Sequence, residues 1–113
     1  MTVAVIARDL MIVTRIADAG TRAGVEVRRY DDPDQLPPAS DLRLLLVDWT
    51  TRRADWGERL TAWCSGAPQP GRPRVVLFGP HTDLAAHADA RAAGLGPMLA
   101  RSKLLSELAR LLV

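Results

Sequence analysis

One cysteine and one lysine stand in a chain of 113 residues. Cys64, alone, cannot close an internal disulfide, and in "LTAWCSG" no second cysteine or histidine is near enough to make a metal-ligand pattern. It reads as a packing residue near the end of a helix. Long hydrophobic runs are also missing. The longest apolar stretches, such as Leu44 to Val47 and Val75 to Phe78, fall far short of the roughly 20 residues a membrane helix needs, and the start of the chain has no signal-peptide cleavage pattern. The expectation is a cytoplasmic protein without a membrane partner. There is no block of like charge: 15 basic and 13 acidic residues give a formal net charge of +2, and the basic residues are almost all arginine, Lys103 excepted. A nucleic-acid partner wants a concentrated basic face, so none is expected despite a pI near 9.3. The turn "ARDLM" after the first apolar run contains no glycine, which argues against both the dinucleotide fingerprint and the P-loop. His81 and His87 are six apart and do not share a helix face as metal ligands would.

What is present is the profile of a soluble globular protein, 48% hydrophobic and 25% charged, of a size for one domain over residues 1–113. "TVAVIA" reads as a strand, and "LMIVTRIADAGTRAG" places Leu10, Val13, Ile16, Ala17 and Gly20 at helical intervals before a stop at Gly24. "VEVRRY" alternates like an edge strand, and "DDPDQLPPAS" is a loop with room for one helical turn. "LRLLLVD" is apolar at nearly every position, as a strand covered on both faces must be. Then come a helix over residues 55–65 that carries Trp56, Leu60 and Trp63, the loop "GAPQPGRP", and the buried strand "RVVLFG". An Ala-rich helix capped at Thr82 and stopped at Gly94 follows, then the short strand "PMLA". A last helix has Ser102 as its N-cap and Leu104, Leu108, Leu111 and Leu112 facing inward.

Five strands alternating with about five helices predict an α/β fold: a three-layer, doubly wound parallel sheet, because right-handed crossovers put helices on both faces. Reacting groups in such sheets gather beyond the carboxyl ends of the strands. The residues there are Arg8 and Asp9, then Asp48, Trp49 and Thr50, then Gly79, Pro80 and His81, and finally Arg101 and Ser102. For Asp9 and Asp48 the plainer reading is that each caps the turn or helix that follows it. Arg52 and Arg53 read as a solvated rim, while Trp49 and Trp56 stay open as core residues or partly exposed anchors for a partner.

From "LLLVDW" onward, and with less precision before it, the chain resembles the receiver domain of bacterial two-component response regulators. That family is flavodoxin-like, with strand order 2-1-3-4-5. The resemblance puts Asp48, in "VDWT", at the phosphoacceptor position and Asp9 at the second of two acids that hold Mg²⁺, with Arg8 where the first acid would be. Gly79 stands where the family has a switch serine or threonine. In "ARSK", Arg101 followed by Ser102 replaces a lysine and a cis-proline, while "RAAG" matches the helix end before the fifth strand. The resemblance implies that Mg²⁺, if held at all, is held weakly by Asp9 and Asp48, since a permanently charged guanidinium at Arg8 would repel it while pairing with the acids.

The expectation is therefore a stand-alone degenerate receiver-like domain, not an enzyme and without a resident cofactor. It would signal through a protein partner, with Arg8 in place of the metal. Two other readings remain: a phospho-acceptor, served by a histidine kinase, with Asp48 as nucleophile, Asp9 on Mg²⁺ and Arg101 neutralising the phosphoryl group; and a flavodoxin-like anion-binding protein using the Arg8, Asp48 and Arg101 crevice. The leucines of "SKLLSELARLL" exceed one stripe, which leaves a face for a homodimer.

Overall fold

The β-branched and leucine-rich runs become the strands of one sheet. The structure, a computed structural model, describes residues 2–113. Among these, β1 (Thr2–Ile6), β2 (Glu26–Tyr30), β3 (Leu42–Asp48), β4 (Arg74–Gly79) and β5 (Leu99–Ala100) pair in parallel in the order 2-1-3-4-5. The helices α1 (Leu10–Ala23), α2 (Trp56–Ser65), α3 (Leu84–Ala92) and α4 (Arg101–Leu111) connect or follow them. Four α-helices stand where about five were expected, because "DDPDQLPPAS" forms only the 3-10 turns Pro33–Gln35 and Ala39–Asp41. Its prolines remove the amide donors that a longer helix needs.

Strand alternation sorts the core into two halves. Val3, Val5, Leu44, Leu46, Val76 and Phe78 face α1 and α4, while Ala4, Ile6, Leu45, Val47 and Leu77 face α2 and α3. β1 and β3 lie inside the sheet with both faces covered, and so carry no exposed alternation. β2 is the edge strand that its pattern announces, with three of its five residues exposed.

The buried face of α1 is Ile12, Ile16 and Gly20, with Val13 and Ala19 packed beside it, and Leu10 is 67% exposed. Choosing Ile12 over Leu10 sets the rotation of the helix, since each such side chain contributes about 1.5–3 kcal/mol when fully buried. Gly20 lets this face approach β2: a Cβ there would lie 2.5 Å from Val27 Cγ2 and 3.0 Å from the Val25 carbonyl oxygen. Gly24 ends the helix in the left-handed conformation, φ +72°, as a glycine stop does.

Two expected caps are displaced, by one residue at α3 and by two at α4. Asp83, not Thr82, caps α3 and accepts the Ala86 amide, because a carboxylate is also favoured by the positive end of the helix dipole. α4 begins at Arg101 with Ala100 as its N-cap, so Ser102 already lies within the first turn. Leu104, Leu108, Leu111 and Leu112 are buried and Leu105 packs against them, which takes up the leucine surplus of this helix. At its far end, Arg43 of β3 donates to the carbonyls of Leu112 and Val113.

No helix among the described residues is long and apolar enough to cross a membrane.

Candidate functional site

Parallel register brings the ends of four strands to one mouth. Ile6 lies opposite Val47, Asp48 opposite Phe78 and Gly79 opposite Ala100, so the residues just beyond these positions meet at the carboxyl edge. Asp48 is the one buried charged residue among those described, 1% exposed. A carboxylate taken so far from water must be supplied with donors or a cation.

Asp48 has both. Its Oδ1 accepts the Thr50 amide at 3.1 Å and the Thr50 hydroxyl at 2.5 Å, and thereby caps the 3-10 turn Trp49–Thr51. Its Oδ2 accepts Arg101 Nη2 at 3.3 Å. Asp9 repeats the arrangement one strand away: Oδ1 caps α1 by accepting the Met11 amide at 3.0 Å, and Oδ2 accepts Arg101 Nη1 at 3.2 Å. One guanidinium thus bridges two carboxylates, and each of the four carboxylate oxygens already accepts a hydrogen bond. The capping role and the electrostatic role coexist, one on each oxygen. Arg101 Nε is buried with no partner, so the side chain commits only its two terminal nitrogens.

Arg8 does not join this group. It is exposed and has no ion pair or side-chain hydrogen bond among the described residues, which overturns the expectation that it replaces a metal. The reason is geometric. Arg8 lies between Ala7, the buried residue that follows β1, and the Asp9 cap of α1, whereas Arg101 enters from the β5–α4 junction directly across both acids.

At Gly79 a side chain would enter only by displacing two neighbouring side chains. A Cβ there would come to 2.9 Å from Met98 Sδ and 3.1 Å from Thr50 Cγ2. The space in which the resemblance expects a hydroxyl is occupied by the Met98 thioether and the Thr50 methyl. Met98, buried at 4% exposure, is the contributor that sequence reasoning missed, and Gly79 was the only signal of it.

The residues around the mouth are partly fixed as well. Trp49 is buried, not partly exposed, and its Nε1 donates to the Ala86 carbonyl at 3.0 Å. Arg52 is no free rim residue: its Nε and Nη2 donate to Asp89 Oδ2, its Nη1 donates to the Trp49 carbonyl, and its guanidinium lies 5.5 Å from the Trp49 ring centroid. Arg53 is exposed, as expected. Trp56 is buried in the same half of the core as Trp49. Leu10, Met11 and Leu84 stand 67%, 79% and 78% exposed on the helices that leave the ends of β1 and β4.

Two grooves lie away from the mouth. One, about 590 Å³, lies between α2 and α3 and includes Arg52, Arg53 and Asp89. The other, about 530 Å³, lies between α1 and α4 and includes Arg15, Arg22 and Leu105. Neither is lined by Arg8, Asp48 or Arg101, so the proposed anion crevice is not one of these cavities.

The Mg²⁺ that the receiver resemblance implies does not fit these residues. Mg²⁺ needs free carboxylate edges and retains several waters, yet both Oδ2 atoms here are met by a guanidinium. No group of three or more His, Cys, Asp or Glu side chains among the described residues is placed to hold a metal ion.

A 2-1-3-4-5 parallel sheet with helices on both faces and its polar residues at the carboxyl edge is a flavodoxin-like α/β domain. Comparison with solved structures agrees: the chain is similar to a protein of Burkholderia pseudomallei described as pilus assembly-related, with a TM-score of 0.65 and 18% identity. The match covers 99% of this chain and 89% of the other, and at that identity it shows a shared fold. No protein-family model matches the chain, and no curated protein matches it in sequence.

Proposed function

We propose that this domain is a receiver-like signalling module that works through contact with another protein, without turnover and without depending on phosphorylation. The observation that carries this reading is Gly79 at the end of β4, without a hydroxyl and with Met98 and Thr50 packed against it. The receiver resemblance would have a hydroxyl at the end of β4 meet a phosphoryl group on Asp48; here Gly79 supplies none, and a side chain added there would have to displace the Met98 thioether and the Thr50 methyl. The exposed Leu10, Met11 and Leu84 supply apolar area for a partner around the same mouth.

A second reading is favoured by Arg101. Its Nη2 already lies 3.3 Å from Asp48, a cation at the point where phosphoryl charge would develop. On that reading Asp48 is the nucleophile of a phospho-acceptor.

Thermal unfolding with Mg²⁺, with beryllofluoride and with both separates the two, since any ligand of the folded state raises apparent stability. The module is expected to ignore all three additions. A rise in melting temperature with beryllofluoride that disappears in Asp48→Asn would restore the phospho-acceptor.

A further inference from the structure

We infer that Arg101 is an internal replacement for a divalent cation: it performs, with its two terminal nitrogens, the bridging of Asp9 and Asp48 that would otherwise require a bound metal. The inference deepens the phosphorylation-independent reading of this mouth and rests on it. Its consequence is a latent site: removal of Arg101 should convert the mouth into a metal site for Mg²⁺ or Mn²⁺.

Charge gives the first argument. Asp9, Asp48 and Arg101 together carry one net negative charge, and without Arg101 the pair carries two, which a divalent ion would neutralise. Asp48 is buried, so an unbalanced carboxylate there is costly and the site gains most from whichever cation it can hold. The oxygens give the second. Met11 and Thr50 take the two Oδ1 atoms by local backbone capping, contacts that do not involve Arg101. Loss of Arg101 therefore frees the two Oδ2 atoms together and leaves both carboxylates oriented by their caps. Hard oxygen ligands with waters completing the shell suit Mg²⁺ and Mn²⁺, and Mn²⁺ is the tighter of the two. The side chain itself gives the third. Both terminal nitrogens of Arg101 point to carboxylates while its Nε lies buried without a partner, so the bridge is made at the expense of that donor.

The test is thermal unfolding of the wild type, Arg101→Ser and Arg101→Lys in chelator-treated buffer, then with increasing MgCl₂ or MnCl₂. The wild type should not respond. Arg101→Ser should melt lower without metal and recover by about 4 °C or more with it, more readily with Mn²⁺, and adding Asp9→Asn should abolish the recovery. Arg101→Lys, whose single ammonium serves one carboxylate better than two, should respond at higher metal concentration and by less. Should Arg101→Ser fail to fold in chelator, folding restored by the ion supports the inference, and Arg101→Lys carries the remaining comparison.

A wild type that responds as strongly as Arg101→Ser would overturn the inference, because metal and arginine would then coexist. So would the absence of a metal response in both variants. The two readings fail separately. Beryllofluoride stabilising the wild type through Asp48 with no metal present would sink the phosphorylation-independent function and leave Arg101 as the metal's replacement. Unresponsive variants beside a wild type inert to beryllofluoride would do the reverse.

Discussion

Asp48 shows how one side chain can serve local and distant structure at once, with Thr50 on one oxygen and Arg101 on the other. Gly79 shows the converse, a residue whose meaning lies in what surrounds it. Gly79→Ser, which adds the hydroxyl that the resemblance expects, is predicted to destabilise the protein by about 1–3 kcal/mol through overpacking against Met98 and Thr50. Pairing it with Met98→Ala should cost less than the sum of the two single changes, and a double-mutant cycle in denaturant reads that coupling. Cys64 offers a pH test. Burial pushes its thiol above the ordinary value, and nearby Arg72 offsets this only in part. A thiol held protonated reacts slowly, since the thiolate is the nucleophile. Alkylation of native Cys64 should be slower than that of the unfolded chain near neutral pH, with its rate rising at more alkaline pH; equal profiles would refute this. Asp48 was legible in the sequence because an acid directly after an apolar run marks a strand end, and Asp9 because it follows such a run with only Arg8 between. The division of labour between Arg8 and Arg101 was not, because neighbourhood along the chain does not fix where a long side chain points.

At the scale of elements, punctuation carried the reading. Gly24 and Gly94, both at positive φ, stop α1 and the segment after α3, and the prolines of residues 31–40 confine that stretch to 3-10 turns. Caps were less legible, since Thr82 and Asp83 are both good N-cap residues and adjacent in sequence. Asp83→Ala should therefore cost about 1 kcal/mol, while Thr82→Ala should stay within about 0.5 kcal/mol of wild type; urea unfolding of both variants distinguishes them. The rotation of α1 was misread for a related reason. Leu10 and Ile12 both fit a helical period, and the sheet accepts only the face that lets Gly20 come close to Val27. The β strands were easier, because a run apolar on both faces has few places to go except the middle of a parallel sheet.

For the whole molecule, the alternation of strands and helices was enough to reach the three-layer sheet. The division of its interior into two halves became visible in the structure, where alternate residues of each strand join one cluster or the other. The site was less accessible because its parts lie far apart in sequence: Arg101 is 92 positions from Asp9 and 53 from Asp48, and the register of β1, β3, β4 and β5 brings them together. α4 belongs to this larger scale too. Its first residue is tied to the ends of β1 and β3 through Arg101, and the carbonyls beyond its last turn are tied to β3 through Arg43. A rod fastened at both ends to the same plate has no free stroke. Motion that begins at the mouth must bend the plate or release a fastening before this rod can travel.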